Sequence, residues 1–195
     1  MSSDKATSII LASKSPRRQE ILTQMGITFV VKVQDVEESF PPHLSPEEVA
    51  VYISEKKAKA FMSELGDELL ISSDTIVCLG NEIIGKPKDT DDAFQILSKL
   101  SGKMHKVITA VSFLQNKQID SFFDTTEVYF RELSSAEIHY YIKNYQPFDK
   151  AGAYGIQEWI GYVGIEKIVG SYTNVMGLPS ELLYKKLKGK IDLTI

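Results

Sequence analysis

The chain has 195 residues, 43% of them hydrophobic and 25% charged, with a net charge of −4 and one cysteine, Cys78. That is one ordinary soluble domain with apolar mass for a sizeable core, and its charge argues against a general nucleic-acid binder. An intrachain disulfide is excluded, residues 1–8 carry no signal-peptide core and no apolar run approaches a membrane span, so the expected location is the cytoplasm, with no membrane partner.

Residues 9–12 read as an apolar strand. Two serines and Lys14 turn the chain. Ser15 suits a helix N-cap, Pro16 suits the first helical position, and Ile21, Leu22 and Met25 form an apolar stripe up to a stop at Gly26. Residues 13–18 therefore lie where a buried strand hands over to a helix N-terminus. Free N–H groups and the positive end of the helix dipole favour an anion there. Cations at that end are otherwise unfavourable by about 0.3–1 kcal/mol each, so Lys14, Arg17 and Arg18 point to a strongly negative ligand.

Residues 27–33 read as a second strand and 34–40 as an acidic loop, in which Glu38 alone reads as a solvated carboxylate. Ser45 and Glu48 have capping-box spacing and open a helix to about Leu65, stopped by Gly66. Val49, Ile53, Ala60 and Phe61 form its expected buried stripe. Two of Lys56, Lys57 and Lys59 are expected on a solvated face. Residues 69–72 read as a buried strand that Asp74 interrupts and 75–79 resume. Gly80-Asn81 signals a hairpin returning through 82–84, and Gly85-Lys86-Pro87 leads away from it.

Thr90 is expected to cap a helix with Asp91 and Asp92 in its first turn and a stop at Gly102. Residues 107–114 and 122–130 read as long strands joined through Asn116-Lys117. Ser134 and Glu137 cap a helix to about Tyr145, residues 150–157 form a small-residue loop, and 162–169 read as a strand. Gly177-Leu178-Pro179 opens a final helix to about Lys188, beyond which the chain is expected to fray. The pattern gives one α/β domain over 1–195, with a mixed sheet and flanking helices.

Familiar site types are missing. His43, His105 and His139 have no metal-ligand spacing, and Cys78 sits mid-strand. There is no nucleophile elbow, no Walker loop and no strict G-x-G-x-x-G. What remains is polar residues where apolar ones belong. Asp74 breaks an apolar run and is costly to bury without a partner. Lys86 leaves the hairpin that Asp74 begins, so it can return to the same cleft. Lys150 and Gln157 bracket a loop of glycines and alanines that lets a ligand approach the backbone. Several cations, one or two carboxylates and a backbone anion cradle suit a polyphosphate with Mg²⁺ or Mn²⁺.

Five blocks, in order, carry a resemblance: 13–18 (SKSPRR), 73–77 (SDTIV), 85–87 (GKP), 149–157 (DKAGAYGIQ) and 170–179 (GSYTNVMGLP). Together they resemble the Maf family of nucleoside triphosphate pyrophosphatases. The resemblance implies a mixed-sheet α/β fold with a central cleft, like that of inosine triphosphate pyrophosphatases, and often a homodimer. It implies hydrolysis of a nucleoside triphosphate to the monophosphate and pyrophosphate with a divalent metal. It carries the catalytic-base role onto Asp74, and substrate contacts onto Ser13, Arg17, Arg18, Glu38, Lys57, Lys86 and Gln157. It carries specificity onto Arg17, Thr75 and Gln157, a combination similar to the subgroup acting on dTTP and UTP.

Magnitudes shape the expected mechanism. Free aspartate has a pKa near 3.9 and water one near 15.7, a gap of roughly 12 units. Asp74 therefore needs a metal to acidify the water, and Asp74 with Glu38 is the expected metal pair. Water attacks the α-phosphorus, and Arg17, Arg18, Lys57 and Lys86 offset the phosphate charge. A nucleotide-sensing regulator that binds without turnover is the competing reading. Asp74 favours the enzyme, since a carboxylate hinders pure anion binding.

Overall fold

The computed structural model describes residues 8–188 and 190; the expectations for residues 1–7 and for the end at 191–195 fall outside the described residues. The strands are β1 (Ile9–Leu11), β2 (Val30–Val31), β3 (Leu69–Leu79), β4 (Glu82–Ile84), β5 (Met104–Gln115), β6 (Gln118–Phe130) and β7 (Ile165–Val169). The helices are α1 (Pro16–Gln24), α2 (Pro46–Lys59), α3 (Thr90–Leu100), α4 (Ser135–Tyr145), α5 (Trp159–Gly164), α6 (Tyr172–Met176) and α7 (Ser180–Lys188). One seven-stranded sheet runs β2-β1-β3-β5-β6-β7, with β4 paired to β3. β1 is parallel to β2 and β3, and the other pairs are antiparallel. This is the mixed α/β sheet with flanking helices that the pattern implied.

Both faces of the sheet are covered. α2 packs Val49, Ala50 and Ile53 onto Ile76, Ile108 and Ala110. On the other face α1 and α7 bring Ile21, Leu22, Leu183 and Leu187 to Leu69, Ile71 and Phe113. Side chains alternate along β3, so even-numbered residues meet α2 and odd-numbered ones the opposite layer. Ser72 accordingly donates to the Ser54 carbonyl of α2, while Ser73 donates to the Gly177 carbonyl across the sheet.

β3 corrects the expectation of an interruption at Asp74. The strand is continuous, because β5 pairs with it from Leu70 to Cys78 and sets Ala110 opposite Asp74. Its other edge is discontinuous. β1 covers Leu69–Ile71 and β4 covers Val77–Leu79. Between them, residues 72–76 have no strand on this edge among the described residues, and the sheet carries a notch with Asp74 at its centre.

Other boundaries shifted for local reasons. The second strand is only two residues, both exposed, because its partner β1 offers just three. α2 ends at Lys59, after which Phe61, Met62 and Glu64 donate three residues back in tight turns. Asp89, not Thr90, caps α3 by accepting from Asp92 N–H at 2.8 Å. The expected strand over 162–169 begins only at Ile165; α5 precedes it. A Cβ at Gly161 would lie 1.7 Å from the Ile156 carbonyl oxygen, so that close turn needs glycine. α6 was not anticipated, although Ser171 caps it through Asn174 N–H. The β5–β6 hairpin turns through Asn116 and Lys117, both in left-handed conformation, as expected.

His105 on β5 anchors the loop that follows α4. It is fully buried, with Nε2 2.8 Å from the Tyr154 hydroxyl. Burial draws its pKa from 6.5 down to about 4. A lowered imidazole pKa gives stability that is complete above pH 6.5 and is lost as pH falls toward 4. A shift of this size corresponds to about 3 kcal/mol. The His105→Gln variant is expected to show a shallower decline over that window, measured as urea-unfolding free energy against pH.

Candidate active site

The notch is rimmed by chain segments that leave the sheet on either side. β1 stops once Ala12 N–H has donated to the Ile71 carbonyl at 2.8 Å, and the chain turns through Ser13 into α1. β4 stops at Ile84, opposite Val77, and the chain departs through Gly85 and Lys86. A cleft of ≈ 450 Å³ opens between these segments, the end of α2 and the loop 149–157. It is lined by Ser13, Lys14, Arg17, Arg18, Glu38, Lys57, Asp74, Thr75, Lys86, Lys150 and Gln157, all singled out from the sequence.

At the α1 rim Ser15 has the extended backbone of an N-cap but makes no side-chain cap bond. Ser13 Oγ instead accepts from Ser15 N–H at 3.2 Å. The first turn of α1 thus carries no internal carboxylate or hydroxyl cap. Arg18 fills the place of the missing strand. Its Nη1 donates to the Ser73 carbonyl at 2.8 Å and to Ser13 Oγ at 3.3 Å. Its Nη2 donates to Thr75 Oγ1 at 3.0 Å, and its Nε to the Gly177 carbonyl at 2.8 Å. Burial lowers its pKa, against the pull of Asp74. The guanidinium fork therefore ties α1, the open edge of β3 and the turn after α6 together.

The α2 side holds the carboxylates. Lys57 Nζ lies 2.6 Å from Asp74 Oδ1 and 2.7 Å from Glu38 Oε1. Lys86 Nζ lies 3.4 Å from Glu38 Oε2. Glu38 is thus drawn into the cluster rather than left to solvent as it read alone. Lys56 reaches Ser39 and Lys59 pairs with Glu55, so two of the three lysines do face outward. The two carboxylates diverge. Burial raises the Asp74 pKa despite Lys57 and Arg18. Burial also opposes ionisation of Glu38, but bonding to Lys57 and the charge of Lys86 outweigh it and hold Glu38 low. Such a split marks one carboxyl as the better base and the other as a fixed charge.

Across the cleft, Lys150 is 2.7 Å from Asp149 Oδ1 and 3.2 Å from Glu158 Oε1. Tyr141 hydroxyl bonds the other oxygen of Glu158 and accepts from Gly155 N–H. Gly152 adopts φ 72°, and a Cβ there would press to 3.0 Å from Val77. The loop is therefore seated directly on β3. Gln157 brings a buried side-chain carbonyl with no hydrogen-bond partner among the described residues. Asp149 and Glu158 were not singled out from the sequence; both neighbour Lys150 or Gln157 in the chain, and only the fold shows which cations they meet.

The carboxylate pair suits a hard divalent cation. Asp74 and Glu38 already converge on one positive group, the Lys57 ammonium. Among the described residues no group of three or more His, Cys, Asp or Glu gathers for a metal. Two protein oxygens with the remainder from water and phosphate is a coordination habit of Mg²⁺.

A buried carboxylate paired with a lysine thus shares one cleft with a helix start that has no side-chain cap. Residues 8–190 match the family model described as Maf-like protein, and the chain belongs to that family. A protein of Flavobacterium psychrophilum named dTTP/UTP pyrophosphatase is 52% identical over 179 residues, 91% of this chain and 92% of that one. A protein of the same name from Phocaeicola vulgatus is 53% identical over 182 residues, 92% and 94% of the two chains. The solved structure of the Staphylococcus aureus Ham1 protein matches with a TM-score of 0.50 over 94% of this chain and all of that one, at 19% identity, a likeness of fold.

The raised pKa of Asp74 has a stability consequence. Its ionised form destabilises the native state at neutral pH; the penalty shrinks as pH falls through the raised native value and is gone below the ordinary value of 3.8. Asn carries no charge, and Lys57 keeps Glu38 as partner. The Asp74→Asn variant is expected to melt at or above the wild-type temperature at pH 7–8, with the difference closing in acid. Differential scanning calorimetry at several pH values checks this, and a fall of several degrees at pH 8 would contradict it.

Proposed function

We propose that this protein hydrolyses nucleoside triphosphates, preferentially dTTP and UTP, to the monophosphate and pyrophosphate. The observation that carries the reading is Asp74: a buried carboxylate of raised pKa at the centre of the sheet notch, among Lys57, Lys86, Arg17 and Lys150. The names of the relatives from Flavobacterium psychrophilum and Phocaeicola vulgatus support the same activity.

In this reading the anionic oxygens of the triphosphate take the first-turn N–H groups of α1 and the lysine and arginine cations. Asp74 accepts a proton from water as the oxygen attacks the α-phosphorus in line. The bond from that phosphorus to the bridging oxygen breaks, and pyrophosphate leaves with its charge balanced by Lys57, Lys86 and Arg17. Asp74 and Glu38 would hold Mg²⁺ or Mn²⁺, which would acidify the water and add positive charge beside the phosphates. The raised pKa of Asp74 narrows the gap between base and water. Cytoplasmic location and a homodimer belong to the same proposal; buried, unpaired Cys78 fits a reducing compartment.

Asp74→Asn is expected to lower kcat by roughly 10²–10⁴-fold, the usual size of a lost general base. Pyrophosphate release from dTTP measures it, and chelation with EDTA is expected to stop wild-type turnover. Nucleotide binding without any release by the wild type would instead make the protein a nucleotide sensor.

Gln157 supports the pyrimidine preference. Its unpartnered carbonyl and its amide N–H₂ can meet the N3–H and carbonyl edge shared by thymine and uracil. Cytosine would leave a buried group unpaired, at a cost of about 1–3 kcal/mol, or roughly ten- to a hundredfold. In Gln157→Glu the ratio of kcat/KM for UTP over CTP is expected to fall. An unchanged ratio would remove Gln157 from base reading.

A further inference from the structure

Asp149 is a carboxylate in the mouth of the cleft that the proposed reaction does not use. It ends the turn Pro147–Asp149, and its side chain is 61% exposed. One of its oxygens lies 3.2 Å from Arg17 Nη1 on α1, and the other 2.7 Å from Lys150 Nζ. The carboxylate thus bridges the two walls and neutralises two of the cations that would hold a triphosphate.

Neither cation depends on it for position. Arg17 Nε also donates to the Met176 carbonyl at 3.4 Å. Lys150 is also held by Glu158 Oε1 at 3.2 Å, and Glu158 is fixed by Tyr141. Lys150 is almost wholly buried, so its aim is set by packing as well. A residue needed to orient these cations would be their sole tether, and Asp149 is not. It is also the most solvent-facing of the three, 61% exposed against 24% for Arg17 and 9% for Lys150.

We propose that Asp149 is an internal competitor for the phosphate site: its carboxylate occupies Arg17 and Lys150 in the empty cleft, is displaced by the substrate's phosphates, and returns to help expel pyrophosphate. The inference rests on the function proposed above for the identity of the anion. Ion pairs with one solvent-facing partner, as Asp149 is in both, are weak, whereas several charge-assisted bonds to a polyphosphate are strong, so displacement runs toward the substrate. The returning carboxylate lowers affinity for the product equally, which favours turnover over retention of pyrophosphate.

The sign of one measurement separates competitor from support. Inorganic pyrophosphate is titrated with magnesium chloride into wild type, Asp149→Asn, Asp149→Glu and Asp35→Asn by calorimetry. Asp149→Asn is expected to bind it roughly three- to tenfold more tightly, as loss of two weak competing pairs implies. KM for dTTP is expected to fall in parallel, and kcat to hold or fall. Asp149→Glu, which keeps the charge, is expected to stay within about twofold of wild type. Asp35 also lines the cleft, where it pairs with Lys14, and its neutralisation controls for the general field. Weaker or unchanged pyrophosphate binding in Asp149→Asn, with a wild-type melting temperature, overturns the inference, as does equal tightening in Asp35→Asn. If the wild type fails to hydrolyse dTTP, the proposed function falls while the pyrophosphate titration still decides the role of Asp149.

Discussion

The open edge of β3 over residues 72–76 is the constraint on which the site depends. A central strand with one bare edge presents backbone donors and acceptors that must be satisfied. A buried group left alone costs about 1–3 kcal/mol. Here the Ser73 carbonyl is met by Arg18 rather than by a neighbouring strand. Because a side chain and not a strand fills the gap, room remains for a ligand against the sheet. β1 and β4 define the width of that room by where they stop.

Charge balance is the second constraint. Lys57, Lys86, Lys150, Arg17 and Arg18 converge on one cleft, and each of the four besides Arg18 has a carboxylate partner. The protein can therefore hold a dense positive site without a bound anion. The partners are not equivalent. Asp74 is buried and its ionisation is penalised, while Asp149 and Glu38 are more exposed and held ionised by their lysines. Depth in the cleft sorts the carboxylates into one suited to take a proton and others suited to hold cations.

Much of this was legible in the sequence because local rules control it. The capping boxes at Ser45 and Ser134, the Asn116-Lys117 turn and the Ser15-Pro16 helix start depend on a few adjacent residues. Asp74 was visible as a carboxylate among apolar neighbours. Its supposed break in the strand was not real, since β5 and Lys57 supply from a distance what the local sequence lacks. Lys57 had a readable signal: it lies four residues after Ile53, on the stripe that is buried in α2. The pairing of Arg17 with Asp149 joins residues 132 apart and leaves no local trace. The position of α5 was hidden in the same way, because Gly161 answers to the Ile156 carbonyl and not to a turn preference.

Asp74 and Thr75 are adjacent in sequence but belong to different rooms. The strand pleat sends Asp74 toward Lys57 on α2, and sends Thr75 toward Arg18 and Thr109 on the opposite face. The backbone between them is held in register by β5. A change at residue 75 therefore meets Arg18 and Thr109 first, and reaches Asp74 through the charge of Arg18. The pleat thus gives two neighbouring residues of one strand separate side-chain partners, a single peptide bond apart.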